Sequence, residues 1–116
     1  MRNDRDNLIV ELSFEFALDI IEYTEILQEQ RKYIIANQIL KSGTSIGANV
    51  REAQNAESKA DFIHKMKIAI KEADETEYWL LLCMMSKDYP KNDKLTEKLS
   101  VIINILSKII STSKSQ

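Results

Sequence analysis

The segment Ser42-Gly43-Thr44-Ser45-Ile46-Gly47-Ala48-Asn49-Val50-Arg51-Glu52 constrains the fold more than any other part of the chain. It has helical spacing, yet small and polar residues stand where a helix normally buries large apolar ones. Glycine costs about 1 kcal/mol against alanine inside a helix, so Gly43 and Gly47, four residues apart, require a reason. Either the helix kinks there, or another backbone approaches so closely that no Cβ fits. Close approach is the reading adopted. The run Lys71-Glu72-Ala73-Asp74-Glu75-Thr76-Glu77-Tyr78-Trp79 supplies the expected counterpart. Together the two runs predict a pair of closely packed helices with polar groups trapped between them.

The rest of the chain agrees with an all-α fold. Only two glycines and one proline punctuate 116 residues, and apolar residues make up 44% against 29% charged. This is the balance of an ordered helical chain, long enough to bury a core as a single domain over residues 1–116. Valine occurs only at positions 10, 50 and 101 and aromatics are few, which argues against a sheet. The single Cys83 sits in an apolar run and reads as a buried, inert thiol in a reducing compartment. Residues 1–7 are charged and lack the apolar core of a signal peptide. No apolar stretch approaches the ~20 residues that cross a bilayer. A cytoplasmic protein without a membrane partner is expected.

Apolar spacings of three and four residues place four helices at about 7–28, 33–56, 59–87 and 93–111. The first carries Ile9, Leu12, Phe16, Ile20, Tyr23 and Leu27 on one face, with Asn7 as N-cap. A turn near 29–33 is required, because one helix over 7–57 would reach roughly 75 Å at 1.5 Å per residue. The second carries Ile35, Ile39, Ile46, Val50 and Ala53, beside a flatter stripe of Ala36, Leu40, Gly43 and Gly47. The third begins with a capping pattern at Ser58 and Asp61 and ends before Pro90. The fourth carries Leu95, Leu99, Ile102, Leu106 and a surplus of isoleucines, and the tail from Ser111 is expected to fray. Short connections favour an antiparallel up-down four-helix bundle. Ile103, Ile105, Ile109 and Ile110, with Leu81, Leu82, Met84 and Met85, exceed what one core holds, so a homo-oligomer is expected.

Charge is uneven along a chain of net −2: residues 1–32 carry net −4 and residues 90–116 net +3. The two ends complement each other if they pack side by side. A pI near 5.5 argues against a protein built mainly to grip phosphates.

Ser45, Asn49 and Glu52 share one helical face, and Glu72 and Glu75 share another. Three readings are open if those faces meet. One is a buried hydrogen-bond network that fixes helix register. The second is a recognition patch. The third is a metal or general acid–base site. The metal reading lacks the Glu-x-x-His pairs of di-iron bundles, and Cys83 and His64 supply only two of four zinc ligands. Gly43-x-x-x-Gly47 lacks the Gly-Lys-Ser/Thr ending of a phosphate loop. No catalytic residue, cofactor or metal site is assigned. Lys41, Arg51, Lys59, Lys65, Lys67 and Lys71 bracket the turn between the second and third helices as candidate nucleic-acid contacts, and a ring of copies would concentrate them.

The segment Asn37-Gln38-Ile39-Leu40-x-Ser42-x-Thr44-Ser45-Ile46-Gly47-Ala48-Asn49-x-x-Glu52-Ala53 is followed by Asp61-Phe62-x-x-Lys65-Met66-x-Ile68-Ala69-x-Lys71-Glu72-Ala73-x-Glu75-Thr76-x-Tyr78-Trp79-Leu80. The combination closely resembles the bacterial four-helix-bundle proteins encoded inside 23S rRNA intervening sequences. The resemblance spans about residues 7–110. It implies a short helical bundle that assembles as a ring of five subunits and has no established enzymatic activity. The accessory variability protein of diversity-generating retroelements is similar and binds nucleic acid; this chain differs in being net acidic. The resulting expectation is a non-enzymatic, pentamer-forming bundle that binds RNA or DNA in rRNA-associated or mobile-element biology. The alternative is a protein-interaction scaffold with no nucleic-acid partner.

Overall fold

All four helices carry an apolar stripe, three of them begin at a side-chain cap, and each stops for a different reason. The computed structural model describes residues 7–116; the charged segment 1–6, on which the signal-peptide expectation rests, lies outside them. The helices are α1 (Leu8–Glu29), α2 (Tyr33–Ala53), α3 (Lys59–Met85) and α4 (Asp93–Ser115). Three starts are capped by side chains. The Val10 N–H donates to Asn7 Oδ1 at 3.5 Å, the Asp61 N–H to Ser58 Oγ at 3.0 Å and the Leu95 N–H to Asn92 Oδ1 at 3.2 Å.

α1 ends at the expected turn, whereas the ends of α2, α3 and α4 differ from the sequence expectation. α1 closes through Arg31, whose φ of 63° is left-handed although it is not glycine. The Lys32 N–H donates to the Leu27 carbonyl at 2.8 Å and the Arg31 N–H to the Gln28 carbonyl at 2.9 Å, the paired bonds of a Schellman end. α2 stops at Ala53 rather than 56, because Gln54, Asn55 and Ala56 bond three residues back and tighten the chain. α3 stops at Met85 rather than 87, and Ser86 is extended. The Lys91 ammonium donates to the Cys83 carbonyl at 2.8 Å and to the Ser86 carbonyl, satisfying groups that a further turn would have used. α4 does not fray at Ser111 but runs to Ser115, whose hydroxyl donates to the Ser111 and Thr112 carbonyls.

Neighbouring helices pack in the ring α1–α2–α3–α4–α1, with no close approach across either diagonal. Contacts between them run in opposite senses along the two chains. Gly47 lies over Ser13 and Gly43 over Ile20; Ser42 meets Thr76 while Glu52 meets Lys65. The result is an antiparallel up-down four-helix bundle, 47 × 21 × 21 Å, about as long as its longest helix at 1.5 Å per residue. Its core includes Phe16, Ile20 and Leu27 of α1, Ile39, Ile46 and Val50 of α2, Met66 and Leu80 of α3, and Leu95, Leu99, Ile102 and Leu106 of α4. Burying each such side chain contributes about 1.5–3 kcal/mol. Ala69 and Ala73 of α3 are fully buried, so α3 is slim where it faces α2.

The glycines do not serve the α2–α3 contact that the sequence suggested. A Cβ on Gly43 would stand 2.9 Å from both Cγ1 and Cγ2 of Ile20, and one on Gly47 would stand 3.2 Å from the Ser13 carbonyl oxygen. Both therefore face α1. The Cβ-free row lets α1 and α2 approach, and Ser42, on the adjoining row, faces α3.

The surplus apolar surface is also placed differently. Ile103, Ile105, Ile109 and Ile110 are half-buried against the core, not outward. Leu81, Leu82 and Met85 are exposed as expected, and Met84 is half-buried. The larger unpartnered stripe lies on α1, where Phe14, Leu18 and Ile21 follow at i, i+4 and i+7 with Phe14 58% exposed. Tyr33 and Ile34 extend the exposed apolar surface onto the start of α2.

Candidate functional site

α2 presents Ser45, Asn49 and Glu52 on the row next to Ser42, so these residues do lie toward α3. Their hydrogen bonds, however, do not form the expected network with Glu72 and Glu75. The Ser45 hydroxyl donates to the Lys41 carbonyl at 2.6 Å and the Asn49 amide to the Ser45 carbonyl at 2.9 Å, both within α2. Glu52 accepts from Lys65 of α3 at 3.2 Å. This ion pair is solvent-facing and is worth about 0–1 kcal/mol. Glu75 accepts from the Trp79 indole one turn along its own helix at 3.4 Å. Long side chains at the bundle edge reach water or their own backbone more readily than they reach across.

The one buried side-chain hydrogen bond between helices, among the described residues, joins two hydroxyls that the sequence reading passed over. The Thr76 hydroxyl has Ser42 Oγ at 2.9 Å and the Glu72 carbonyl oxygen at 2.7 Å. Both side chains are fully buried. Thr76 stands in the apolar stripe of α3, and a β-branched residue there reads as core. The signal that would have found the pair is Ser42, a small hydroxyl beside Gly43, opposite a stripe position that is itself a hydroxyl.

Glu72 is half-buried at this edge. Burial raises its pKa, the neighbouring Glu75 carboxylate raises it further, and Lys41 of α2 opposes both. Lys41 thus lies within electrostatic reach of Glu72 and does not stand free. At the far end of the bundle, the Tyr23 hydroxyl donates to the Pro90 carbonyl at 2.8 Å, and burial pushes its pKa up strongly. Burial likewise pushes the adjacent Cys83 thiol up, which makes it a poor nucleophile. Among the described residues no group of three or more His, Cys, Asp or Glu is placed to hold a metal, and no helix is long and apolar enough to cross a membrane.

The six basic candidates separate in space. Lys65 is paired with Glu52 and Lys41 is drawn to Glu72. Arg51 continues the row of Gly43 and Gly47 and so lies on the α1 side of α2. Lys59 donates to the Gln116 carbonyl at the end of α4. Lys67 and Lys71, one turn apart on α3, are exposed. Lys114 of α4, absent from the sequence-based set, lies beside Lys67, and the close approach of the second ammonium lowers the pKa of Lys67. Its distance of 47 residues along the chain hid this proximity. The complement between acidic α1 and basic α4 is realised at Lys98, which pairs with Asp19 and whose pKa is raised by that carboxylate, with Glu15 and Glu22 adding to the effect.

Comparison with known proteins bears on this arrangement. No curated protein matches the chain. A protein of unknown function from the S23 ribosomal protein family of Bacteroides thetaiotaomicron VPI-5482 is 43% identical. Its crystal structure superposes with a TM-score of 0.82 over 88% of this chain and 97% of that one. The model of the family described as 23S rRNA-intervening sequence protein matches residues 5–111. A four-helix bundle with this polar and glycine patterning, matched over nearly its whole length, belongs to the 23S rRNA-intervening sequence protein family.

Proposed function

We propose that this protein is a non-enzymatic bundle that assembles as a homo-oligomeric ring, with five copies as the family resemblance implies, and that the assembly binds RNA or DNA. The observation that carries the reading is the apolar row Phe14, Leu18 and Ile21 on α1, together with Leu81, Leu82 and Met85 on α3. These side chains stand in water in a single copy and are covered when copies meet. Nucleic acid is the partner we propose, and the lysines of α3 and α4 supply the charge. Repetition around a ring multiplies each basic end, and affinity rises with the number of phosphates neutralised.

The scaffold reading has one specific support: Glu11, Glu15, Glu22, Glu25 and Glu29 line the exposed side of α1, and such a face repels phosphates. An electrophoretic mobility shift with RNA and with duplex DNA across a salt series separates the two. Nucleic-acid binding gives a shift at low salt that weakens steeply as salt rises. Absence of any shift at low salt leaves the scaffold.

A further inference from the structure

We propose that the α3–α4 groove at the Lys67–Lys114 end holds the phosphate backbone of a single-stranded nucleic acid. Lys67 and Lys114 straddle the strand, Ser107 and Ser111 act as neutral donors, and Lys71 meets the strand one turn further on. The inference rests on the nucleic-acid reading above and assigns it a place that the sequence did not show.

The geometry is local and specific. Lys67 and Lys114 lie side by side on a shallow groove of 410 Å³ that half-buried Ile70 and Ile110 and exposed Ser107 and Ser111 also line. Two ammonium groups brought side by side repel, and among the described residues no carboxylate pairs with either. α4 carries no acidic side chain after Glu97, so over its last five turns this wall presents only basic and neutral side chains. The α3 N-terminal and α4 C-terminal dipoles meet at this end and offset one another, which leaves the lysines as the net field. An anion between them relieves the repulsion and gains charge-assisted hydrogen bonds.

The shape selects the source of the phosphate. The groove is open along its length and does not enclose a small ion, so an isolated phosphate keeps most of its water and gains little. A polymer crosses the lysine pair and continues to Lys71, four residues or about 6 Å along α3. Apolar Ile70 and Ile110 between the cations suit the sugar edge better than free phosphate.

The test uses the intact protein, a fluorescein-labelled single-stranded RNA of mixed sequence, and anisotropy titrations over a salt series. Lys67→Gln/Lys114→Gln is expected to bind about tenfold more weakly, with a salt slope shallower by about 1.4. Lys67→Arg/Lys114→Arg retains binding. Lys41→Gln/Arg51→Gln, on other faces, leaves both readouts unchanged. All variants alter exposed side chains and are expected to melt with the wild type. If wild type binds but only the Lys41/Arg51 variant loses affinity, the groove is the wrong site while the nucleic-acid reading stands. If wild type fails to bind at low salt, both fall. Inorganic phosphate is expected to compete no better than chloride at equal ionic strength; displacement specific to phosphate would make this a free-phosphate site and overturn the backbone assignment.

Discussion

At the scale of single residues, the two glycines are distinguishable. Ile20 is β-branched, fully buried and stiff at χ1, and a Cβ on Gly43 would meet both of its γ carbons at 2.9 Å. Gly43→Ala is therefore expected to destabilise by about 1–2 kcal/mol, overpacking exceeding the gain in helix propensity. At Gly47 the nearest atom is the Ser13 carbonyl oxygen at 3.2 Å. Gly47→Ala is near neutral, whereas Gly47→Leu must displace the α1 backbone and lose about 1–3 kcal/mol. Urea melts of the three variants test the order. The buried hydroxyl pair makes a second prediction. Thr76→Val strands the Ser42 hydroxyl and loses about 1–2 kcal/mol, while Ser42→Ala/Thr76→Val recovers about half. Asn49→Ala, which removes only a bond to its own helix, is expected to melt within about 0.5 kcal/mol of wild type because alanine is the better helix former. A larger loss at Asn49 would restore a structural role for its face.

At the scale of the element, helix starts and the turn between α1 and α2 were legible in the sequence, whereas the ends of α2, α3 and α4 were placed two to four residues off. Asn7, Ser58 and Asn92 cap through their own short side chains, so the chemistry is contained in three or four residues. The end of α3 depends on a partner outside its own last turns. Lys91 reaches back over Pro90 to the α3 carbonyls, and Arg31 takes a left-handed φ where the Lys32 N–H closes onto the Leu27 carbonyl. A left-handed conformation costs a non-glycine residue about 1–2 kcal/mol. Arg31→Gly is expected to raise stability by up to about 1 kcal/mol, part of the relief being lost to the greater freedom of glycine in the unfolded chain. A fall in the thermal midpoint of Arg31→Gly would show that the arginine side chain contributes more than the strain it bears.

At the scale of the molecule, the bundle covers one face of each helix and leaves apolar rows uncovered on α1 and α3. Phe14 and Leu81 are 58% and 57% exposed, and Met85 is 80% exposed. Static light scattering is expected to return about five times the 13.4 kDa chain mass. Phe14→Lys and Leu81→Lys are expected to shift that mass downward while leaving the unfolding free energy of the single bundle within about 0.5 kcal/mol, since neither side chain belongs to the core. A wild-type mass of one chain at micromolar concentration would end the assembly reading. The groove of 550 Å³ beside Leu81, Met84 and Met85 carries Glu77, Asp93 and Glu97 on its rim. If copies meet through this groove, their assembly is expected to respond to salt as well as to apolar substitution.

The sequence by itself determined that the chain forms four amphipathic helices, because spacings of three and four report which side of each helix is apolar and because caps are local chemistry. It also marked Gly43 and Gly47 as sites of close approach. Only the tertiary structure decided which helix approaches them, because every stripe in a bundle is apolar and pairing depends on how four stripes share one core. For the same reason it alone joined Ser42 to Thr76 and Lys67 to Lys114, residues 34 and 47 positions apart. It also turned the isoleucines of α4 inward and left Phe14, Leu18 and Ile21 in water. Periodicity fixes a residue's angle on its own helix; the angle at which that helix meets its neighbours is a property of the packed whole.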